Sequence, residues 1–133
     1  MESSLHAALL RARPDAASGV HTHQPLASAV ALLGVDLPVE QEQERLSLGP
    51  RVAAVAYAPS GTWLLVRALR KRLRYQVNAY LLRNHGLICC GPTMAAAIGN
   101  AELVERAAAR FLRAAMERAG AGELARETLS ALP

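Results

Sequence analysis

Aromatic side chains are scarce: one Trp, one Phe and three Tyr in 133 residues, 4% of the chain. Any core must therefore be built from small and branched aliphatics, and alanine alone supplies about a fifth of the residues. Lysine is scarcer still. Fourteen of the fifteen basic residues are arginine and only Lys71 is lysine, a bias that reads as GC-rich coding. The formal net charge of +4 would suit a nucleic-acid partner, but its distribution argues against one. The one dense basic run, Arg67, Arg70, Lys71, Arg72 and Arg74, ends a predicted helix, where cations suit the macrodipole, and no aromatic platform interleaves with it. Cysteine is limited to Cys89 and Cys90. Neighbours on a strand point to opposite faces, so this pair is not a disulfide, and it lacks the spacing of a zinc or haem motif. It reads as two small buried residues in a reducing compartment. No apolar run approaches the ~18 residues of a membrane span, and no cleavable leader pattern opens the sequence. The expectation is a cytoplasmic protein with neither a membrane nor a nucleic-acid partner.

What is present describes a globular chain: 52% apolar and 20% charged, of a length that fits one domain. Leu5, Ala8, Leu9 and Ala12 form one stripe of a helix over Ser4–Arg13, stopped by Pro14-Asp15. A short strand follows from Gly19 to His23. Pro25 suits the first turn of a helix carrying Leu26, Ala29, Val30 and Leu33, closed by Gly34. Asp36 to Pro50, with its run Glu40–Arg45, reads as a loop or exposed edge. Arg51–Tyr57 predicts a strand, and Pro59-Ser60-Gly61-Thr62 caps a helix to about Arg74. Val77–Leu82 and Leu87–Cys90 read as two strands around an Arg83-Asn84-His85-Gly86 turn, since Asn and Gly tolerate positive φ. The longest helix runs from Met94 to Gly120, with Met94, Ile98, Ala101, Val104, Ala108, Phe111, Leu112 and Ala115 at helical spacing. Glu123 to Leu132 forms a short amphipathic tail. Strand–helix alternation by itself suggests a parallel sheet.

The chemistry concentrates in His21-Thr22-His23. On a strand, positions i and i+2 share a face with Cα atoms ~6–7 Å apart, so two imidazoles can converge on one ion. A catalytic zinc site takes three protein ligands and leaves one position open. His85 can be the third, because a turn between strands can reach the same sheet edge. Against this stands the simpler reading of two solvent-facing or hydrogen-bonded histidines and an ordinary turn residue. His6 reads as a packing residue.

Arg11-Ala-Arg-Pro-Asp15, Val20-His-Thr-His23 and Leu81-Leu-Arg-Asn-His-Gly-Leu87, in that order, resemble the class II aldolase/adducin family of sugar-phosphate aldolases, epimerases and dehydratases. Tyr57-Ala-Pro-Ser-Gly-Thr62 and the helix after Gly91 extend the likeness over nearly the whole chain. The resemblance implies a three-layer α/β/α domain around a largely antiparallel sheet. It implies one domain over residues 1–133, lacking the family's N-terminal part and ending in a tail at 121–133. It makes His21, His23 and His85 the ligands of a divalent metal ion, zinc before others, although three histidines suit several metals. The family's acidic residue, nineteen positions before the first metal histidine, falls on Glu2 as the catalytic acid/base. The implied activity is metal-dependent aldol cleavage of a small sugar phosphate or hydroxycarbonyl compound, by a lyase that self-associates, up to a homotetramer. The alternatives are a non-catalytic structural or assembly module, as in the adducin branch, and a fragment of a longer enzyme. The family's phosphate-binding loops lie in the part that has no counterpart here, and the resulting uncovered sheet edge predicts an aggregation-prone or oligomer-dependent protein.

Overall fold

A computed structural model describes residues 2–120 and 130–131. The elements are α1 (Glu2–Ala12), β1 (Ser18–Thr22), α2 (Pro25–Leu33), β2 (Leu37–Pro38), α3 (Glu42–Leu48), β3 (Arg51–Val55), α4 (Trp63–Arg72), β4 (Ala79–Leu82), β5 (Gly86–Gly91) and α5 (Met94–Arg118). The tail from residue 121 onward lies outside the described residues, apart from 130–131.

The five strands form one mixed sheet in the order β1-β5-β4-β3-β2. β1/β5, β5/β4 and β3/β2 pair antiparallel, while β3/β4 pair parallel across the α4 crossover. The strand–helix alternation matches a parallel pairing at this one place; the three-residue link between β4 and β5 makes them an antiparallel hairpin, while β1/β5 and β2/β3 pair antiparallel across longer stretches of chain.

Each strand residue has a fixed side, because successive side chains alternate across the pleat. Tyr80, Leu82, Ile88 and Cys90 face one core with Leu5 and Leu9 of α1 and Leu65 and Leu69 of α4. Ala79, Leu81, Leu87 and Cys89 face the other, under Val30 of α2 and Ala101, Val104 and Ala108 of α5. The result is three layers, helices on both faces of the sheet. The adjacent cysteines are free and buried on opposite sides, and burial pushes both thiols above their ordinary range, Cys89 well above it.

Two helix ends follow the sequence signals. Pro25 opens α2, and Gly34 closes it in the left-handed conformation at φ 66°. Thr93 caps α5 by accepting from the Ala96 amide at 3.1 Å. Thr62 occupies the N-cap of α4 but makes no such bond; its hydroxyl donates to the Pro59 carbonyl instead.

The stretch from Asp36 to Pro50 differs from the expected loop: it folds into β2 and α3. Leu37, Val39 and Leu48 are buried, and so is Glu44, whose carboxylate is held by the Arg110 guanidinium at 2.5–2.6 Å. A charged run hides an amphipathic turn when its buried acid finds a cation on another helix. The stripe of α5 is also rotated slightly from expectation. Ala97 and Asn100 are buried, whereas Met94 and Ile98 are exposed.

Candidate metal centre

β1 lies at the edge of the sheet and ends at Thr22, so His23 stands just past the strand and not within it. The antiparallel register sets Thr22 opposite Leu87, at the start of β5. The β4–β5 connection is three residues long, Arg83-Asn84-His85, with Leu82 paired to Gly86. Both segments meet at one end of the sheet, which is how a histidine pair and a histidine some sixty residues later become neighbours.

The imidazoles of His21, His23 and His85 converge. His21 Nε2 lies 2.9 Å from His85 Nε2 and 3.0 Å from His23 Nε2, and the ring centroids are 4.7–5.2 Å apart. His21 and His85 are half-buried and His23 is exposed, so the cluster opens to solvent on the His23 side.

His21 Nδ1 is 2.8 Å from the Leu87 carbonyl oxygen. A carbonyl only accepts, so the proton sits on Nδ1 and the neutral ring turns the lone pair of Nε2 toward the other two histidines. One in-plane lone pair cannot align with two neighbouring nitrogens at once, so hydrogen bonding among the three rings leaves one contact poorly made. A cation between them satisfies all three. Tetrahedral zinc with bonds of 2.0–2.1 Å separates its nitrogen ligands by about 3.3 Å; the two His21 contacts are a few tenths of an ångström shorter than this, and all three ligand atoms lie within 4.8 Å of one another. The carbonyl behind His21 is the kind of partner that orients a metal-binding imidazole. The donor set therefore fits a three-histidine divalent site with an open position.

Two backbone features build this corner. Asn84 takes the left-handed conformation, φ 58°, which Asn tolerates better than most residues. Gly86 is needed for a different reason from the positive φ expected of it. A β-carbon there would fall 2.4 Å from the Thr22 carbonyl oxygen and 2.6 Å from Cδ2 of His23. Only glycine lets the two segments approach so closely.

α2 begins two residues past His23. The Gln24 N-cap contributes no side-chain capping bond; its Oε1 accepts from the Thr22 hydroxyl instead. Glu105 of α5 takes that part, accepting from the Leu26 and Ala27 amides at 2.9 and 2.8 Å. No local pattern encodes this cap, because it comes from another helix.

Arg13 is a second residue whose part was not legible. It is 2% exposed, and all five of its N–H groups are engaged. Nε and Nη2 grip Asp15 at 2.9 and 2.7 Å, Nη1 donates to the Arg74 and Val77 carbonyls, and Nη2 also reaches Asn78 Oδ1. This knot ties the α1–β1 connection to the approach of β4. The Arg13 hydrogen bonds hold the Asp15 carboxyl below its ordinary range.

Glu2 opens α1, but its side chain lies outside what the structure describes. His6 is not part of the cluster. It packs against Gly19, where a β-carbon would approach its Nδ1 to 3.1 Å. None of the described helices is long and apolar enough to cross a membrane.

Residues 1–112 match the family model for the class II aldolase and adducin N-terminal domain. A 5-methylthioribulose-1-phosphate/5-deoxyribulose-1-phosphate aldolase of Rhodospirillum rubrum is 35% identical over 112 residues, 84% of this chain and 50% of the relative. The L-fuculose phosphate aldolase of Escherichia coli is 32% identical over 111 residues, 84% of this chain and 51% of its own. A solved L-fuculose 1-phosphate aldolase superposes with a TM-score of 0.75 at 23% identity, covering 95% of this chain and 59% of that one. The chain thus spans about half the length of the curated relatives it matches.

Proposed function

Because this chain belongs to the class II aldolase and adducin N-terminal domain family, we propose that it acts as a metal-dependent aldolase-type lyase. Its substrate would be a small sugar phosphate or hydroxycarbonyl compound. The observation that carries the reading is the convergence of three Nε2 atoms at one solvent-open corner. His21, His23 and His85 hold the ion, zinc being the metal best matched to an all-imidazole set. When bound, such an ion supplies Lewis acidity to the substrate's carbonyl and hydroxyl oxygens, easing the negative charge left by C–C cleavage.

The chain's own residues do the rest. The Leu87 carbonyl fixes the tautomer and plane of His21, and the Thr22–Gly86 approach fixes His23 beside it. Glu2 moves the proton: it takes one from the hydroxyl on the carbon beyond the scissile bond, and it or water returns one to the carbanionic carbon. Glu2 begins the helix that packs on the face of β1 where Gly19 and, two residues on, His21 stand, so placement supports this role. A self-associated, cytoplasmic enzyme is part of the same reading.

A retro-aldol assay on methylthioribulose and fuculose phosphates tests it. Glu2→Gln should abolish turnover while the protein keeps its metal. Equal turnover in Glu2→Gln and wild type would remove Glu2 from the chemistry, and no turnover by the metal-loaded wild type would overturn the lyase reading for this chain.

A further inference from the structure

A second recess lies beyond β4 from the histidines, at the carboxyl ends of the parallel pair β3 and β4. It is a groove of about 700 Å³, within the range of small-ligand sites. α2 ends at it from one face of the sheet with Gly34, and α4 flanks it from the other with Leu64, Arg67 and Lys71. Arg83 enters from the β4–β5 turn and Tyr57 from the loop after β3. In α/β sheets, the crevice outside the carboxyl ends of parallel strands is where ligands are bound.

The charge of this groove is one-sided. Arg67 and Lys71 are an i, i+4 pair on one face of α4, an arrangement that is unfavourable for like charges. Arg83 adds a third cation, its guanidinium lying against the Gly34 end of α2, where a β-carbon would meet Nη1 at 3.3 Å. No acidic residue lines the groove among the described residues. Asp36, which contacts the lining residues Ala54 and Arg72, is already committed. It accepts from Arg72 at 2.8 and 2.9 Å and from the Ala54 amide at 2.8 Å, and lies 3.3 Å from Arg51. That leaves Lys71, Arg83 and Arg67, whose guanidinium lies 6.0 Å from the centroid of the Trp63 ring, as cations around a recess whose walls are largely apolar. Tyr57, 58% exposed, and Leu64, 42% exposed, present flat and aliphatic surface inside it.

We infer that this groove binds the phosphoryl group of a small organic phosphate, held by Arg67, Lys71 and Arg83, with a planar or apolar body resting on Tyr57 and Leu64. Three cationic donors lining one recess, two of them guanidinium forks, suit the oxygens of a phosphomonoester and supply the charge it needs. The basic run on α4 is thus more than a solvated helix end, and an aromatic surface does accompany it. The site goes beyond the metal-lyase reading and does not depend on it.

The test uses phenyl phosphate and inorganic phosphate as probes, titrated into the whole chain with a metal chelator present and followed by NMR. Saturable binding by phenyl phosphate below about 10 mM is expected. The shifts should centre on the Arg67 and Arg83 side chains and the Gly34 amide. Arg83→Gln and Lys71→Gln, both at exposed positions, should each weaken it about tenfold with unchanged thermal midpoints. Tyr57→Ala should abolish the preference for phenyl phosphate over inorganic phosphate. His21→Ala and His85→Ala should bind as wild type. Failure to saturate, equal affinity in Arg83→Gln and wild type, or shifts spread evenly over remote arginines such as Arg106 would overturn the inference. So would loss of binding in His85→Ala, which would put the phosphate at the histidines. Metal binding, measured separately, reports on the other reading.

Discussion

Gly86 and His23 are in contact through a missing atom: a β-carbon on Gly86 would lie 2.6 Å from Cδ2 of the His23 ring and 2.4 Å from the carbonyl oxygen of Thr22. The glycine beside His85 is therefore part of the histidine cluster, though it offers no ligand. Gly86→Ala is predicted to push β1 from β5 at this corner, destabilising the fold by about 1–3 kcal/mol in urea titrations. It should also weaken metal binding, because His23 moves away from the other two imidazoles. An alanine variant with wild-type stability and metal affinity would show that the approach is looser than described.

Glu105 gives a second prediction. It caps α2 from another helix through two amide bonds, so Glu105→Ala removes the acceptor for both and a negative charge near a helix N-terminus. The expected loss is about 1–2 kcal/mol. Hydrogen exchange should accelerate first at the Leu26 and Ala27 amides, just after His23. Uniform acceleration across the protein, without that local signature, would contradict the assignment.

Arg13 should tolerate no replacement well. Arg13→Lys offers three donors where five are in use, leaving buried acceptors at Arg74, Val77 and Asn78 short of partners. A loss of about 3 kcal/mol is expected from chemical denaturation.

Its partner supplies a pH dependence. Asp15 has a folded-state pKa below its ordinary value because Arg13 donates to it. Its contribution is therefore complete above the unfolded carboxyl range and is lost as pH falls through the folded value. Asp15→Asn should be less stable than wild type at pH 7, and the gap should close as the pH falls below the ordinary carboxyl range. A gap that stays constant with pH would mean that the pairing contributes nothing.

Much of this was legible in the residues, for identifiable reasons. Strand alternation placed Cys89 and Cys90 on opposite faces, and Pro25 and Gly34 bracketed α2, because those signals are local. The histidines could be listed together from their motifs, but their meeting depends on the β1/β5 register and on Gly86, which no local pattern encodes. α3 was hidden because Glu44 is charged yet buried, and its partner Arg110 lies on a different helix. Arg13 and Glu105 were missed for the same reason: each satisfies backbone or side-chain groups far away in sequence. Residues 121–129 and 132–133 and the side chain of Glu2 lie outside the described residues.

The central claim is that His21, His23 and His85 together hold one divalent ion. Zinc affinity and stoichiometry, measured by competition against a chromophoric chelator on wild type and on His85→Ala, test it most directly. The account predicts one tightly held ion per chain, with affinity falling at least about a hundredfold when His85 is removed. Equal and negligible zinc in both proteins would contradict it.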